Sequence, residues 1–312
     1  MRELEITVEI LFPLFLLLAL GWVLRRIGWM SAQLTRETNK LIFQLFLPVL
    51  VFNNIRDMAS GVSMDAGYAA YLFFGLLGIY LLAVVFVPRF EKHPQKRGVM
   101  VQGIFRTNFA ALGAPLMEAM FGESGLAMYS LALPIVIPLN NILAVIALSS
   151  PGQKRLRPLE MLKSIVTNPL IIGCILGGIM LLTHLQLPTV VDSALRQVGG
   201  LASPLSLLVL GASLQWQGVR DNRTELVWTV LLKQVIIPLV MLGLAVLLGF
   251  RNEALGVMLI LFGAPCAISS YPMAEAMGGD GPLAASQVVL TTLCSMGTLF
   301  VLVYVGKLFA WL

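Results

Sequence analysis

The chain has 312 residues, 58% of them hydrophobic and only 12% charged, with 21 Lys and Arg against 16 Asp and Glu for a formal charge of +5. Soluble domains carry about a quarter charged residues, so the composition excludes a soluble globular domain. Cys174, Cys266 and Cys294 all lie in apolar segments without a C-x-x-C pair, which argues against a disulfide framework or a zinc site.

Apolar stretches of ~20 residues, the length that crosses hydrocarbon as a helix, recur along the chain. The first, Ile6–Leu24, is too long for a signal-peptide core and lacks an A-x-A-like end, so it counts as a helix. Ten spans are expected, at about 5–25, 34–55, 66–88, 98–120, 125–149, 160–183, 189–214, 225–249, 253–276 and 282–310. No stretch alternates with period two, and helices satisfy their own backbone in lipid. The fold class read from this pattern is an all-α polytopic membrane protein.

The short loops carry the orientation. Arg25, Arg26 and Arg36 fall between spans one and two, Arg89, Lys92, Lys96 and Arg97 between three and four. Lys154, Arg155 and Arg157 fall between five and six, Arg220 and Arg223 between seven and eight. The opposite loops hold little more than Arg56 and Arg251. By the positive-inside rule the basic loops are cytoplasmic and both termini are outside; the expected location is the plasma (inner) membrane. The positive charge then needs no nucleic-acid partner.

The stretch APLMEAMFG at 114–122 returns as YPMAEAMGG at 271–279. At offsets of 156 to 157, Pro13 matches Pro169, Leu20-Gly21 matches Leu176-Gly177, Pro48 matches Pro204, and Pro115 matches Pro272. Apolar residues match easily by chance; prolines, glycines and acids in register weigh more. Five spans per repeat is an odd number, so the second copy enters the membrane inverted. Inverted repeats are typical of secondary transporters, with substrate held near the midplane at interrupted helices.

Spans four and nine are the expected interruptions, and they are expected to cross. Gly113 and Pro115 mark one break, Pro265 and Pro272 the other. Pro13, Pro48, Pro169 and Pro204 read as kinks, because few polar residues surround them. Polar side chains within a span are costly and are functional candidates. Those near the crossing are Arg106, Thr107 and Asn108 in span four, Cys266, Ser269, Ser270 and Tyr271 in span nine, and Asn140 and Asn141 in span five. Serine back-bonds to its own helix and asparagine glue between helices are the bland alternatives. Arg106 either attracts an anion or snorkels to the membrane edge. Lys233 in span eight is a countercharge or half of a structural ion pair. Glu118, Glu123, Glu275 and Asp280 follow the breaks near helix ends and make poor proton carriers. An intramembrane enzyme is disfavoured: the two histidines, His93 and His184, neighbour no intramembrane acid. No cofactor or metal is expected.

RTNFAALGAPLMEAMFGESG and GAPCAISSYPMAEAMGGDGPLAAS resemble the fourth- and ninth-helix motifs of the auxin efflux carrier family, which includes plant PIN carriers and bacterial malate or malonate permeases. The resemblance covers the whole chain, and the short loop between spans five and six is similar to the bacterial branch. It implies a fold like the bile-acid sodium symporters. Scaffold helices 1–2 and 6–7 then occupy 1–60 and 156–217, and a mobile transport unit of helices 3–5 and 8–10 occupies 61–155 and 218–312. It further implies a homodimer and elevator-type alternating access, with Asn108 on the substrate and Pro115 and Pro272 at the crossover. Cys266 stands where plant carriers usually have Gln, which speaks against indole-acetate. The expected function is transport of a small organic anion, a carboxylate. The alternatives are sodium- or proton-coupled dicarboxylate uptake, an anion channel, and a transport-derived sensor.

Overall fold

The computed structural model describes residues 2–57, 65–149, 166–213 and 216–312. Lys154, Arg155 and Arg157, the first residues of span six, and the boundaries at 60/61 and 155/156 lie outside the described residues. Among the described residues the chain is helical, with no strand.

The helices are α1 (Arg2–Arg26), α2 (Ala32–Leu41), α3 (Leu47–Arg56), α4 (Ala66–Phe90), α5 (Pro94–Phe105) and α6 (Phe109–Ser149). There follow α7 (Pro169–Thr183), α8 (Thr189–Gly200), α9 (Ala202–Ser213), α10 (Trp216–Asp221), α11 (Arg223–Leu231), α12 (Ile237–Leu247), α13 (Asn252–Gly263), α14 (Ser270–Ala276) and α15 (Gly281–Leu308). One π-helical turn, Ile42–Phe46, joins α2 to α3, and another, Leu232–Ile236, joins α11 to α12. Gly122, at φ 64° and ψ −142°, divides α6 into two helices. Only glycine adopts that backbone at little cost.

Among the described residues, five helical stretches are long and apolar enough to cross a membrane: Ala66–Phe90, Pro94–Ser149, Thr189–Ser213, Arg223–Leu247 and Gly281–Leu308. The outer faces are apolar, with Leu182, Val190 and Leu247 each more than four-fifths exposed. In water that surface invites aggregation; against acyl chains it is the compatible one. The interior is built around α5 and α13. Every residue from Leu255 to Phe262 is buried.

Small residues set the tightest helix contacts. α1 runs along α9, and α3 along α7. A Cβ on Gly21 would strike the Leu208 carbonyl oxygen, and one on Gly177 the Phe52 carbonyl oxygen. Gly177 follows Gly21 by 156 positions, and Leu208 follows Phe52 by the same interval. Small residues allow such backbone approach where lipid removes the hydrophobic drive.

The prolines sort differently from expectation. Pro169 is the first residue of α7, where a missing N–H costs nothing, and Asn168 caps that helix through Leu170 N at 3.0 Å. Pro204 lies in the first turn of α9, just past an interruption at Leu201. Both mark helix starts rather than kinks. Pro13 does lie inside a continuous helix.

Candidate functional site

Two helices are interrupted at buried positions. α5 stops at Phe105, and Arg106, Thr107 and Asn108 are non-helical before α6 begins. α13 stops at Gly263, and the chain is non-helical until α14 starts at Ser270. In the second case Pro265 explains the stop, because proline drives the preceding residue out of the helical region; Ala264 has φ −66° and ψ 153°. No proline sits at the first break. Asn108 occupies the residue before the new helix, a position asparagine favours.

This corrects the expectation built on Pro115 and Gly113. Pro115 is the seventh residue of α6, within the helix, and the break precedes it. Pro272 is the third residue of α14, inside the first turn, where the N–H has no intrahelical partner to lose. Gly113 is a packing position: a Cβ there would enter the Tyr129 ring. The Tyr129 hydroxyl donates to the Phe109 carbonyl at 3.2 Å, bracing the first turn of α6.

The two interruptions touch. The Asn108 N–H donates to the Pro265 carbonyl at 2.9 Å, and the Cys266 N–H donates to Thr291 Oγ1 at 3.1 Å. Beside this contact lies a cavity of about 160 Å³. The breaks supply Arg106, Thr107, Asn108 and Ser269, the start of α6 supplies Phe109 to Ala111, and Asn140 and Asn141 close one side. Leu47, Leu50, Val51, Asn54, Leu170, Ser203 and Ser206 form the facing wall.

Arg106 does not snorkel. It is 3% exposed; its Nη2 donates to Asn141 Oδ1 at 2.9 Å, and its Nη1 contacts Met273 Sδ at 3.1 Å. Asn141 also donates to the Ile137 carbonyl at 3.0 Å, so its amide is spent orienting the guanidinium. Among the described residues no carboxylate pairs with Arg106. The side-chain amide of Asn108 makes no hydrogen bond among the described residues, and it lines the cavity. Among the described residues Thr107 Oγ1, Asn140 Oδ1 and Ser206 Oγ are buried without partners, and all three residues line the same cavity. Buried polar atoms are normally paired, so three orphans on opposite sides of one cavity leave unmet polar capacity facing it.

The remaining sequence candidates fall elsewhere. Cys266 and Ser270 are buried and bond each other, Sγ to Oγ at 3.3 Å, outside the cavity lining. Tyr271 lines a second cavity of about 180 Å³ with Arg25, Arg36, Ser213 and Glu275. The Tyr271 hydroxyl donates to Ser213 Oγ at 2.5 Å, and Asn39 Nδ2 donates to the Pro272 carbonyl at 3.3 Å. These contacts seat α14 against α2 and α9, between the two cavities. Lys233 sits in the second π-helical turn, 1% exposed, with no hydrogen bond or ion pair among the described residues. The Cys266 thiol lies within electrostatic reach of both Lys233 and Arg106. Glu118, Glu123 and Glu275 are exposed as expected, and Asp280 caps α15 through Leu283 N at 2.8 Å. Sequence reasoning missed Asn54, Ser203 and Ser206. Their polarity within apolar spans was the available signal.

The sequence model of a family described as membrane transport protein matches residues 6–303. The chain is similar to an uncharacterized transporter of Methanothermobacter thermautotrophicus, 23% identical over 297 residues, covering 93% of this chain and 95% of the relative. An uncharacterized transporter of Methanocaldococcus jannaschii is 22% identical over 304 residues, covering 93% and 96%. The uncharacterized transporter YfdV of Escherichia coli K12 is 20% identical over 306 residues, covering 96% and 97%.

Proposed function

Because the chain belongs to the membrane transport protein family, that of the auxin efflux carriers, we propose that it is a secondary transporter for a small organic anion with a carboxylate group. The observation that carries this reading is Arg106, a buried guanidinium in a cavity wall without an acidic partner. An unpaired charge in a low-dielectric interior costs several kcal/mol, and an anionic guest offsets that cost. The first N–H groups of α6 have no intrahelical partners, and their residues line the same cavity. Lys233, buried nearby and without an ion pair among the described residues, adds a second countercharge. Two cations at one crossing repel a sodium ion there.

In this mechanism the carboxylate sits on Arg106, the Asn108 amide and the start of α6. Asn140, Thr107, Ser206 and Ser269 complete its polar contacts. Asn141 positions Arg106. Cys266 and Ser270 support the break from behind, and Tyr271 closes the far side.

The elevator reading takes α1–α3 and α7–α9 as scaffold and the remaining helices as the moving unit, in ten spans as two inverted repeats. Two observations support it. The cavity lies between break residues and α3, α7 and α9. The Gly21–Leu208 and Gly177–Phe52 approaches repeat at one interval. A homodimer through the scaffold, and outside termini in the plasma membrane, complete the proposal.

The test is a thermal-shift screen of purified protein with malate, malonate, indole-acetate and the uncharged amide of each hit, since a ligand of the native state raises stability. Carboxylates should stabilise and amides should not; equal shifts for both would remove the anion assignment. Flux in proteoliposomes under imposed sodium, proton or voltage gradients then separates coupled uptake from voltage-driven movement. Single-channel currents in planar bilayers would sink the carrier reading.

A further inference from the structure

A cavity with an entirely apolar lining lies away from the crossing, between α4, α5 and the α11–α12 helix. It measures about 400 Å³, and no polar surface lines it. Leu82, Phe86, Met100, Ile104, Trp228 and Ile236 are among its walls. Water in such a space has no polar partner, and an empty one forfeits dispersion contacts along its whole wall. Leu82 and Phe86 are half exposed at its rim, so the groove opens onto the apolar outer surface. Its α4 wall runs from Ile79 to Phe90, about 16 Å along the helix axis.

One end of the groove is basic. Phe90 stacks on Trp228 with centroids 5.6 Å apart, and the Arg89 guanidinium lies 5.2 Å from the Phe86 ring. Arg89, Lys92 and Arg223 are exposed at this end. Two acids there are engaged already: Glu225 pairs with Lys96 at 2.7 Å, and Glu91 accepts from the His93 N–H at 2.6 Å. An apolar slot that ends beside cations with no ion pair among the described residues fits a single amphiphile.

We propose that this groove is a binding site for one acyl chain of an anionic phospholipid, with its phosphate on Arg89. The site bears on transport through two contacts. Ile104 lies in the last turn of α5, two residues before Arg106 at the break, and Leu232 and Ile236 bracket Lys233 in the π-helical turn. An acyl chain therefore braces both elements that present buried cations. The site is independent of which substrate the crossing holds.

The experiment is thermal unfolding of the delipidated full-length protein in detergent, with dioleoyl phosphatidylglycerol or dioleoyl phosphatidylcholine added. Phosphatidylglycerol should raise the midpoint by about 3 °C or more beyond phosphatidylcholine. Arg89→Gln should bring the two lipids to the same shift. Ala83→Phe fills the groove and should abolish the phosphatidylglycerol shift; Val240→Trp fills it from the opposite wall, should one variant fail to fold. Equal shifts for both lipids on the unaltered protein would overturn the proposal. So would an undiminished phosphatidylglycerol shift in the filled variants, or an equal shift from the chain-free headgroup glycerophosphoglycerol.

Discussion

The Asn108 N–H and the Pro265 carbonyl meet at 2.9 Å, and the two residues are 157 positions apart, the interval that relates Pro115 to Pro272. Residues that stand at that sequence offset thus hydrogen-bond to each other. The bond ties one interrupted helix to the other while leaving the Asn108 side chain free to face the cavity.

That freedom makes Asn108 the most direct test of the proposed site. Asn108→Ala should keep the fold, because the bond to Pro265 uses the backbone. Carboxylate affinity should fall about 10- to 100-fold, the value of a hydrogen bond to a charged group. Titration by thermal shift measures it; unchanged affinity and flux would remove Asn108 from the site.

Every substitution of Arg106 should weaken carboxylate binding. Arg106→Gln removes the charge and should abolish carboxylate binding at concentrations 100-fold above the native Kd. Arg106→Lys keeps the charge but loses the fork that spans Asn141 and Met273. Its affinity should fall between the two, as read by isothermal calorimetry with the best carboxylate from the screen.

Ser206 separates stability from binding. Its hydroxyl is buried and unpartnered without ligand, so Ser206→Ala should leave the unliganded midpoint unchanged or raise it. The carboxylate-induced shift should shrink. A variant that loses unliganded stability instead has lost a structural bond, and Ser206 then leaves the proposed site.

Tyr271 is the expected latch. Removing its hydroxyl frees α14 from Ser213 at a cost of about 1 kcal/mol, near a fivefold change in the populations of two states. Cys266, buried behind the break, reports the opening. With Cys174 and Cys294 replaced by Ser, Tyr271→Phe should label at Cys266 about fivefold faster with a permeant maleimide. An unchanged rate would leave Tyr271 as ordinary packing.

The glycine contacts predict a sharp positional contrast. Gly21→Ala and Gly211→Ala push a methyl group into the carbonyls of Leu208 and Leu18, and should each cost about 1–3 kcal/mol. Gly178→Ala meets nothing within 4 Å and should be neutral or stabilising. Thermal midpoints of the three variants decide whether α1 and α9 are held this closely.

Composition determined the solvent, and the apolar stretches without period-two alternation determined that the backbone is satisfied in helices. The offset between the prolines singled out spans four and nine, and polar residues inside them marked Arg106, Asn108, Asn140 and Asn141. Those signals are local, or periodic along one chain, and survive without coordinates. Tertiary structure decided where each helix breaks. Pro265 marks the break after α13, but Pro272 sits in a first turn and Pro115 past its break, while Arg106–Asn108 is interrupted with no proline at all. Packing also divided the polar residues: it turned Cys266 toward Ser270 and Tyr271 toward Ser213, and brought Ser206 of α9 to face Arg106. Which wall a side chain faces depends on helices far apart in sequence, and no stretch of residues carries that information by itself.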